Sequence, residues 1–387
     1  MRQSHYDIAI VGAGLSGLST AWHIQKQSNY SVCLIDPNQS SPSLNNPGLV
    51  FGSFFENYTR FTHTFGNEKA KEIRKYTEMA FRYLGDFCQN SKIEFTEALR
   101  IRVAESLHEK LEMKLAVKQL KQNNFEVELF SEANSKKRKL NDFFPNSALQ
   151  LELLGGGYLP GENIIHKLKS SIKADLITER VVDFKEKNVC YIKLENGDTL
   201  SSTMAVFTCG MGIGHLETRL SDSLIPYCDQ WHRVEFLNSG QPVEKPYLLT
   251  FQHGNIWILL LNDREGLIGG ARFLRPLAGV GENKSTLNDK QSNFLDGFFK
   301  KALPMLLNPK IDPGQACIDI RPCDELPIIG PMFGSGCTYA ATGYMGIGLS
   351  LGFFAGKNIA ELILRGECRE LPRSLWPERL RSLNERS

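Results

Sequence analysis

Residues 8–11 form an unbroken apolar run that stops at a glycine, and residues 32–35 form another that stops at Asp36. Runs this short, without polar alternation, predict strands buried on both faces of a parallel sheet. The segment between them has the length and glycine start of a helix, expected over about 15–26. From 225 to 280 the pattern changes. Apolar runs at 247–251 and 256–261 are separated by His253-Gly-Asn and followed by Asn262-Asp-Arg-Glu-Gly, which predicts antiparallel hairpins. Leu194-Glu-Asn-Gly-Asp is a further turn, leading into a strand-like run that ends in Ala205-Val-Phe-Thr-Cys-Gly210-Met-Gly212. Leu111, Leu115 and Leu120 have helical spacing within 107–122, and an amphipathic helix is expected over about 350–365. No tandem repeat is visible.

The turn after the first run carries chemistry. In Asp7-Ile-Ala-Ile-Val-Gly12-Ala-Gly14-Leu-Ser-Gly17, Gly12 permits a tight turn and Gly14 lets the backbone approach a pyrophosphate. Gly17 lets the helix pack closely on the strand. The helix start at Leu15 and Ser16 would turn its amides and positive dipole end toward the phosphates. Asp36, at the end of the second run, is placed to accept hydrogen bonds from the adenosine ribose and to repel a 2′-phosphate. With strand, helix, Ala21 and Asp36 in register, an adenine dinucleotide is expected here.

Composition narrows the picture. A chain of 387 residues, 42% hydrophobic, can bury a large core and suggests two or three folding units. Its 45 basic and 43 acidic residues nearly cancel, so no global field favours nucleic acid or a membrane surface. Nine cysteines show no CxxC and no zinc-ligand spacing, so no metal is expected and a reducing cytoplasm is the simplest setting. The first strand begins near Tyr6, leaving no room for a signal peptide, and no apolar run reaches the length of a membrane span. The apolar segment 343–355 reads as a buried turn and helix.

Flavin and nicotinamide are distinguished by the far end of the chain. Ile328-Ile-Gly330-Pro331, then Cys337-Thr-Tyr-Ala-Ala-Thr-Gly343-Tyr-Met-Gly346-Ile-Gly348-Leu-Ser-Leu and the closing helix resemble the C-terminal strand, glycine loop and helix of the D-amino-acid oxidase superfamily of flavoproteins, which includes glycine oxidase and sarcosine oxidase. The 205–212 segment is similar to the family's second glycine-containing strand end. Gly155-Gly-Gly-Tyr-Leu-Pro160-Gly-Glu-Asn-Ile resembles the segment before the adenine-contacting strand, here expected over 177–184. The resemblance implies an α/β fold in two domains. A Rossmann-like FAD-binding domain, a parallel sheet with flanking helices, would comprise 1–85, 150–220 and 312–387. A second α+β substrate domain with an antiparallel sheet would comprise 86–149 and 221–311, its hairpins roofing the flavin.

The same resemblance implies non-covalent FAD held by Gly12, Gly14, Leu15, Ser16, Gly17 and Asp36, by Gly48 in the loop Asn45-Asn-Pro-Gly48-Leu-Val-Phe, and by Val182 on the adenine strand. Cys209 and Gly210 would lie beneath the cofactor. Gly343, Met345, Gly346, Ile347 and Gly348 would lie beside its ring, where a helix dipole stabilises negative charge. Cys323 lies near the covalent link of sarcosine oxidases but at a different spacing.

Arg321, in Asp319-Ile-Arg-Pro-Cys-Asp-Glu-Leu-Pro327, resembles the family's arginine-proline pair, whose arginine clamps a substrate carboxylate as a fork. The family places more residues before the next acid than Pro322-Cys323, so Arg321 is expected either as that clamp or as an ion pair with Asp324 or Glu325. Tyr344 stands where some amino-acid oxidases have a second anchor, and Arg272, on an expected strand, is its substitute. Trp257, with Tyr247 and His232, is the candidate aromatic wall.

The expected reaction is oxidation of the C–N bond of a primary or secondary amine or amino acid by hydride transfer to flavin, the imine then hydrolysing. Two alternatives stay open. The 45–51 loop also resembles the flavin domain of the bacterial enzyme that modifies the tRNA wobble uridine by removing a carboxymethyl group from its amine, which would make tRNA a partner approached through Lys136-Lys-Arg-Lys139. The other alternative is a flavoprotein subunit whose FAD is structural. Oligomeric state is not indicated.

Overall fold

Strand His5–Val11 lies inside a parallel array because its Ile8, Ala9, Ile10 and Val11 are all buried, with nothing left to turn toward water. A computed structural model describes residues 5–37, 46–54, 56–130, 148–240, 242–243 and 245–381. In the first, eight-stranded sheet, Ile328–Pro331, Thr338–Thr342, Thr199–Phe207, His5–Val11, Val32–Ile35 and Asp175–Ile177 run in that order. The last five pair in parallel. Cys190–Leu194 extends the sheet as an antiparallel neighbour of Thr199–Phe207, and Val181–Glu186 pairs antiparallel with Cys190–Leu194 in turn.

Helix Leu15–Gln27 covers one face of this sheet and packs on helix Gly348–Arg365. The contact is close: Ser19 Oγ donates to the Phe353 carbonyl at 2.6 Å, and a Cβ on Gly356 would lie 2.5 Å from that of Ser19. Phe353, Phe354, Ile359 and Ala360 are buried there, each large side chain contributing about 1.5–3 kcal/mol.

The second sheet has ten strands. Its main path is Leu306–Ile311, Leu224–Asn238, Glu265–Gly270, Ile256–Leu260, Tyr247–Phe251, Thr96–Ala104, Ala148–Tyr158 and Leu49–Phe51. All pairs are antiparallel except that between Tyr247–Phe251 and Thr96–Ala104. The hairpins expected over 247–270 form as read. Helix Asp289–Ala302 backs the sheet through Leu295 and Phe299. By hydrogen bonding this sheet also takes Leu49–Phe51, most of Ala148–Tyr158 and Gln315–Pro322 from segments expected in the first unit.

Three local expectations are corrected. The helix Leu107–Gln122 forms within a Ser106–Glu109 capping box, but Leu111 and Leu115 are exposed at 51% and 55%. Met113, Ala116, Val117 and Leu120 make its buried stripe, the i, i+3, i+4, i+7 set that faces Val127–Phe130 and the helix Tyr58–Phe65. The single strand over 177–184 is two, Asp175–Ile177 and Val181–Glu186, which pair with different neighbours. Arg272 follows strand Glu265–Gly270 in a short 3₁₀ turn, Ala271 having φ +60°. The 343–355 segment is a turn and buried helix as expected, and no helix among the described residues is long and apolar enough to cross a membrane. Asn45 and the Lys136–Lys139 cluster lie outside the described residues.

Candidate active site and cofactor cleft

One cavity of about 1220 Å³ runs from the first glycine turn to the underside of the second sheet. That exceeds the ~300–1,000 Å³ of an ordinary small-ligand pocket. Gly12, Gly14, Leu15, Ser16 and Asp36 line its far end. Gly12 has φ +107°, and a Cβ there would lie 2.7 Å from the Thr208 carbonyl, so the turn closes only on glycine. Gly17 does not line the cavity. Its missing Cβ would sit 2.0 Å from the Gly12 carbonyl oxygen, so it serves the packing of helix on strand.

The helix that starts at Leu15 has Gly14 at its N-cap, no side-chain cap and no acid in its first turn. Its N-terminal turn and positive dipole end face the cavity, which suits an anionic phosphate. Asp36 lines the cavity as expected, with Oδ2 accepting the Ala13 N–H at 2.6 Å. Val182, Cys209 and Gly210 also line it. Gly48 does not. It has φ +75° and abuts the Tyr158 ring, and Asn46, Pro47 and Leu49 form the wall instead.

The C-terminal loop enters from the other side. Gly343, Met345 and Gly346 have φ of +75°, +51° and +84°, folding the loop into a tight curl before helix Gly348–Arg365, which likewise has no side-chain cap. The left-handed Met345 is strain that only a packed surround maintains. Gly343, Tyr344, Met345, Gly346 and Gly348 line the cavity, whereas Ile347 is fully buried in the core. Tyr344 shares a 2.7 Å hydrogen bond with Ser16, and burial pushes its phenol up. Its hydroxyl thus joins the two helix starts.

The remaining wall comes from strands Leu224–Asn238 and Gln315–Pro322. Their register sets Tyr227 opposite Asp319, Asp229 opposite Cys317 and Ile225 opposite Arg321. Period-two alternation brings Tyr227, Asp229 and Trp231 together with Cys317, Asp319 and Arg321, and all six line the cavity. Tyr227 donates to Asp319 Oδ2 at 2.7 Å, and the Ile320 N–H donates to Oδ1 at 2.7 Å. Burial raises the carboxyls of Asp229 and Asp319 above the ordinary carboxylate range, opposed at Asp229 first by Arg272 and at Asp319 first by the Tyr227 hydroxyl. Burial also pushes up the Tyr227 phenol and the Cys317 thiol.

The candidate substrate residues converge unevenly. Arg321 reaches the cavity, and its Nη2 lies 2.9 Å from Glu325 Oε1, while Asp324 is held by Arg379. Arg272 lines the cavity with its guanidinium 4.2 Å from the Tyr227 ring centre. Trp257 lines it from strand Ile256–Leu260, packed where a Gly269 side chain would otherwise stand. Tyr247 and His232 do not line it; His232 is buried, with Nδ1 at 3.0 Å from the Asp312 carbonyl. Cys323 is exposed and outside the cavity lining. Tyr227, Asp229 and Asp319 are site residues that sequence reasoning missed. Their signal was polar residues at alternate positions in Tyr227-Cys-Asp-Gln-Trp and Cys317-Ile-Asp-Ile-Arg, the same stretch that had yielded Arg321.

A roof turn completes the enclosure. Gln252, His253 and Gly254 have successive positive φ of +49°, +58° and +90°, and His253 and Asn255 line the cavity. The His253 ring lies 3.4 Å from Glu112 and 3.7 Å from Glu109, fastening the turn to helix Leu107–Gln122.

A family profile described as FAD dependent oxidoreductase matches residues 7–362. No sequence among the curated proteins matches the chain. Among solved structures, the chain is similar to L-proline dehydrogenase from P. horikoshii, with 15% identity, TM-score 0.78, and coverage of 98% of this chain and 99% of that one. It is similar to glycine oxidase from Geobacillus kaustophilus at 15% identity and TM-score 0.76, covering 97% and 98% of the two chains. Iminodiacetate oxidase from Chelativorans sp. BNC1 follows at 15% identity and TM-score 0.71, covering 96% and 98%. At these identities the likeness establishes the fold.

Proposed function

The chain belongs to the FAD dependent oxidoreductase family, and on that premise we propose that it oxidises the C–N bond of a primary or secondary amine or amino acid held between the C-terminal loop and the Tyr227–Asp319 wall. The observation that carries this reading is the pair of uncapped helix starts, at Leu15 and Gly348, on one elongated cavity. One suits the pyrophosphate and the other the electron-rich edge of a flavin. Gly14, Leu15, Ser16 and Asp36 would hold the dinucleotide end, and Gly343, Met345, Gly346 and Gly348 the ring, without a covalent link.

FAD supplies the hydride acceptor. The protein's part is to orient the carbon bearing the nitrogen and to exclude water while carbon loses a hydride and nitrogen a proton, leaving an imine that water hydrolyses. Trp257, Trp231 and Tyr227 supply the apolar enclosure, and Arg321, paired with Glu325 through Nη2, is the guanidinium that would meet a substrate carboxylate. The solved relatives named above are an oxidase of glycine, a dehydrogenase of L-proline and an oxidase of iminodiacetate, which supports an amine or amino acid as the substrate class.

The test is the visible spectrum of the purified protein under anaerobic conditions, before and after a panel of free amino acids, simple amines and their N-methyl or N-carboxymethyl derivatives. Bleaching of the flavin band by one class is the expected result. A flavin band that no member bleaches would overturn amine oxidation and favour a structural flavin.

A further inference from the structure

The substrate half of the cavity is negatively biased. Its wall carries three carboxylates, Asp229, Asp319 and Glu325, against two guanidiniums, Arg272 and Arg321, and Glu56 adds a fourth acid from the side. Arg321 is already bonded to Glu325. Arg272 lies over the Tyr227 ring and offsets Asp229. No cation lies within ion-pair distance of Asp319 among the described residues. Its hydrogen-bond partners are neutral donors, the Tyr227 hydroxyl and the Ile320 N–H.

We propose that Asp319, oriented by Tyr227, is the counter-ion for the substrate's ammonium group, and that this wall selects amines carrying net positive charge over zwitterionic amino acids. The inference rests on the functional reading above and names the substrate class within it. Asp319 and the loop residues Gly343, Met345 and Gly346 line the same cavity, so an ammonium paired with Asp319 would bring its α-carbon to the side where the flavin ring is expected. Arg272 demonstrates the surface's preference: it is a cation already resting on an aromatic face beside an acid. A zwitterion brings a carboxylate into this field and must share Arg321 with Glu325 to have it neutralised. A cationic amine balances the excess charge and displaces nothing.

The experiment is calorimetric titration of the FAD-loaded protein with size-matched probes, isobutylamine against glycine and N-methylisobutylamine against sarcosine. The wild type should bind each amine at least about tenfold more tightly than its zwitterion, a difference of about 1.4 kcal/mol. Asp319→Asn should lose most of the amine's affinity while keeping its flavin content. Glu325→Gln, which releases Arg321, should gain affinity for the zwitterions, and it reads the same preference should Asp319→Asn not fold. Equal or tighter binding of the zwitterions by the wild type, an unchanged amine affinity in a folded Asp319→Asn protein, or no binding of either amine would each overturn the proposal. Selective amine binding without flavin bleaching would instead overturn the oxidation reading and leave the recognition intact.

Discussion

The hydroxyls of Ser16 and Tyr344, 328 residues apart in the chain, share a 2.7 Å hydrogen bond that ties the start of the first helix to the loop before the last. Both helix starts open onto the cofactor cleft without a side-chain cap, so this bond sets their relative position where an elongated ligand must meet both. Tyr344→Phe keeps the ring and removes the bond. A net loss of about 0.5–1.5 kcal/mol is expected, felt as FAD binding weakened by about 2–12-fold. Titration of FAD into the apoprotein checks this. An unchanged affinity would mean that the helix starts are held by packing alone.

Gly14 lines the cavity at the N-cap of the first helix, where the backbone must come close to a phosphate. Gly14→Val puts a branched side chain in that approach. The expected protein is folded, by circular dichroism, and purifies with its flavin-to-protein ratio reduced to near zero. A folded variant that kept stoichiometric FAD would contradict the cofactor placement.

What could be read before the structure follows physical lines. The first unit was legible because each of its signals is local. Gly12 is forced by the Thr208 carbonyl and the 32–35 strand by an unbroken apolar run, while 343–348 has glycine at two of its three positive φ angles. The acidic wall was not legible. Asp229 and Asp319 meet only through a strand pairing between segments some 90 residues apart, as the Tyr227–Asp319 bond is, and neither belongs to a motif. Arg321 was found through its proline, but its neighbour on the adjoining strand was invisible. The spacing of Leu111, Leu115 and Leu120 identified the helix over 107–122, and only tertiary contact decides that the face through Met113 and Val117 is the buried one.

Asp229 offers a test of the buried wall through stability. Its folded-state carboxyl is raised above the ordinary 3.8 by burial, so the folded protein holds a proton that the unfolded chain releases. The sign is opposite to that of a salt-bridged acid. Stability falls as pH rises from about 3.8 through the raised value and is lowest above it. Asp229→Asn removes this dependence, so the apoprotein variant should melt at a higher temperature than wild type near neutral pH and show little or no gain near pH 4. A variant equally stabilised at both pH values would show that charge burial is not the cause.

His23 gives the complementary case on the acid side. It is buried between the first helix and the Phe353 ring, with Nε2 2.7 Å from the Tyr83 hydroxyl and Nδ1 2.7 Å from the Ser19 carbonyl. Burial, aided by the charges of Lys357 and Lys26, lowers its imidazole from 6.5 to about 4. The unfolded chain therefore takes up a proton that the folded protein refuses, and stability is complete above about 6.5 and drains as pH falls toward 4. A shift of this size corresponds to about 3 kcal/mol. His23→Gln retains hydrogen-bonding capacity for Tyr83 without the titration. It should be somewhat less stable at pH 7, yet lose less stability than wild type between pH 7 and 4.5 in denaturant melts. Parallel losses in the two proteins would place the acid sensitivity elsewhere. Because Ser19 of the same helix turn bonds to the Phe353 carbonyl, protonation of His23 loosens the contact between the two helices whose starts frame the cofactor. Acid release of FAD should accordingly begin in the same pH window in wild type and be shifted to lower pH in the variant.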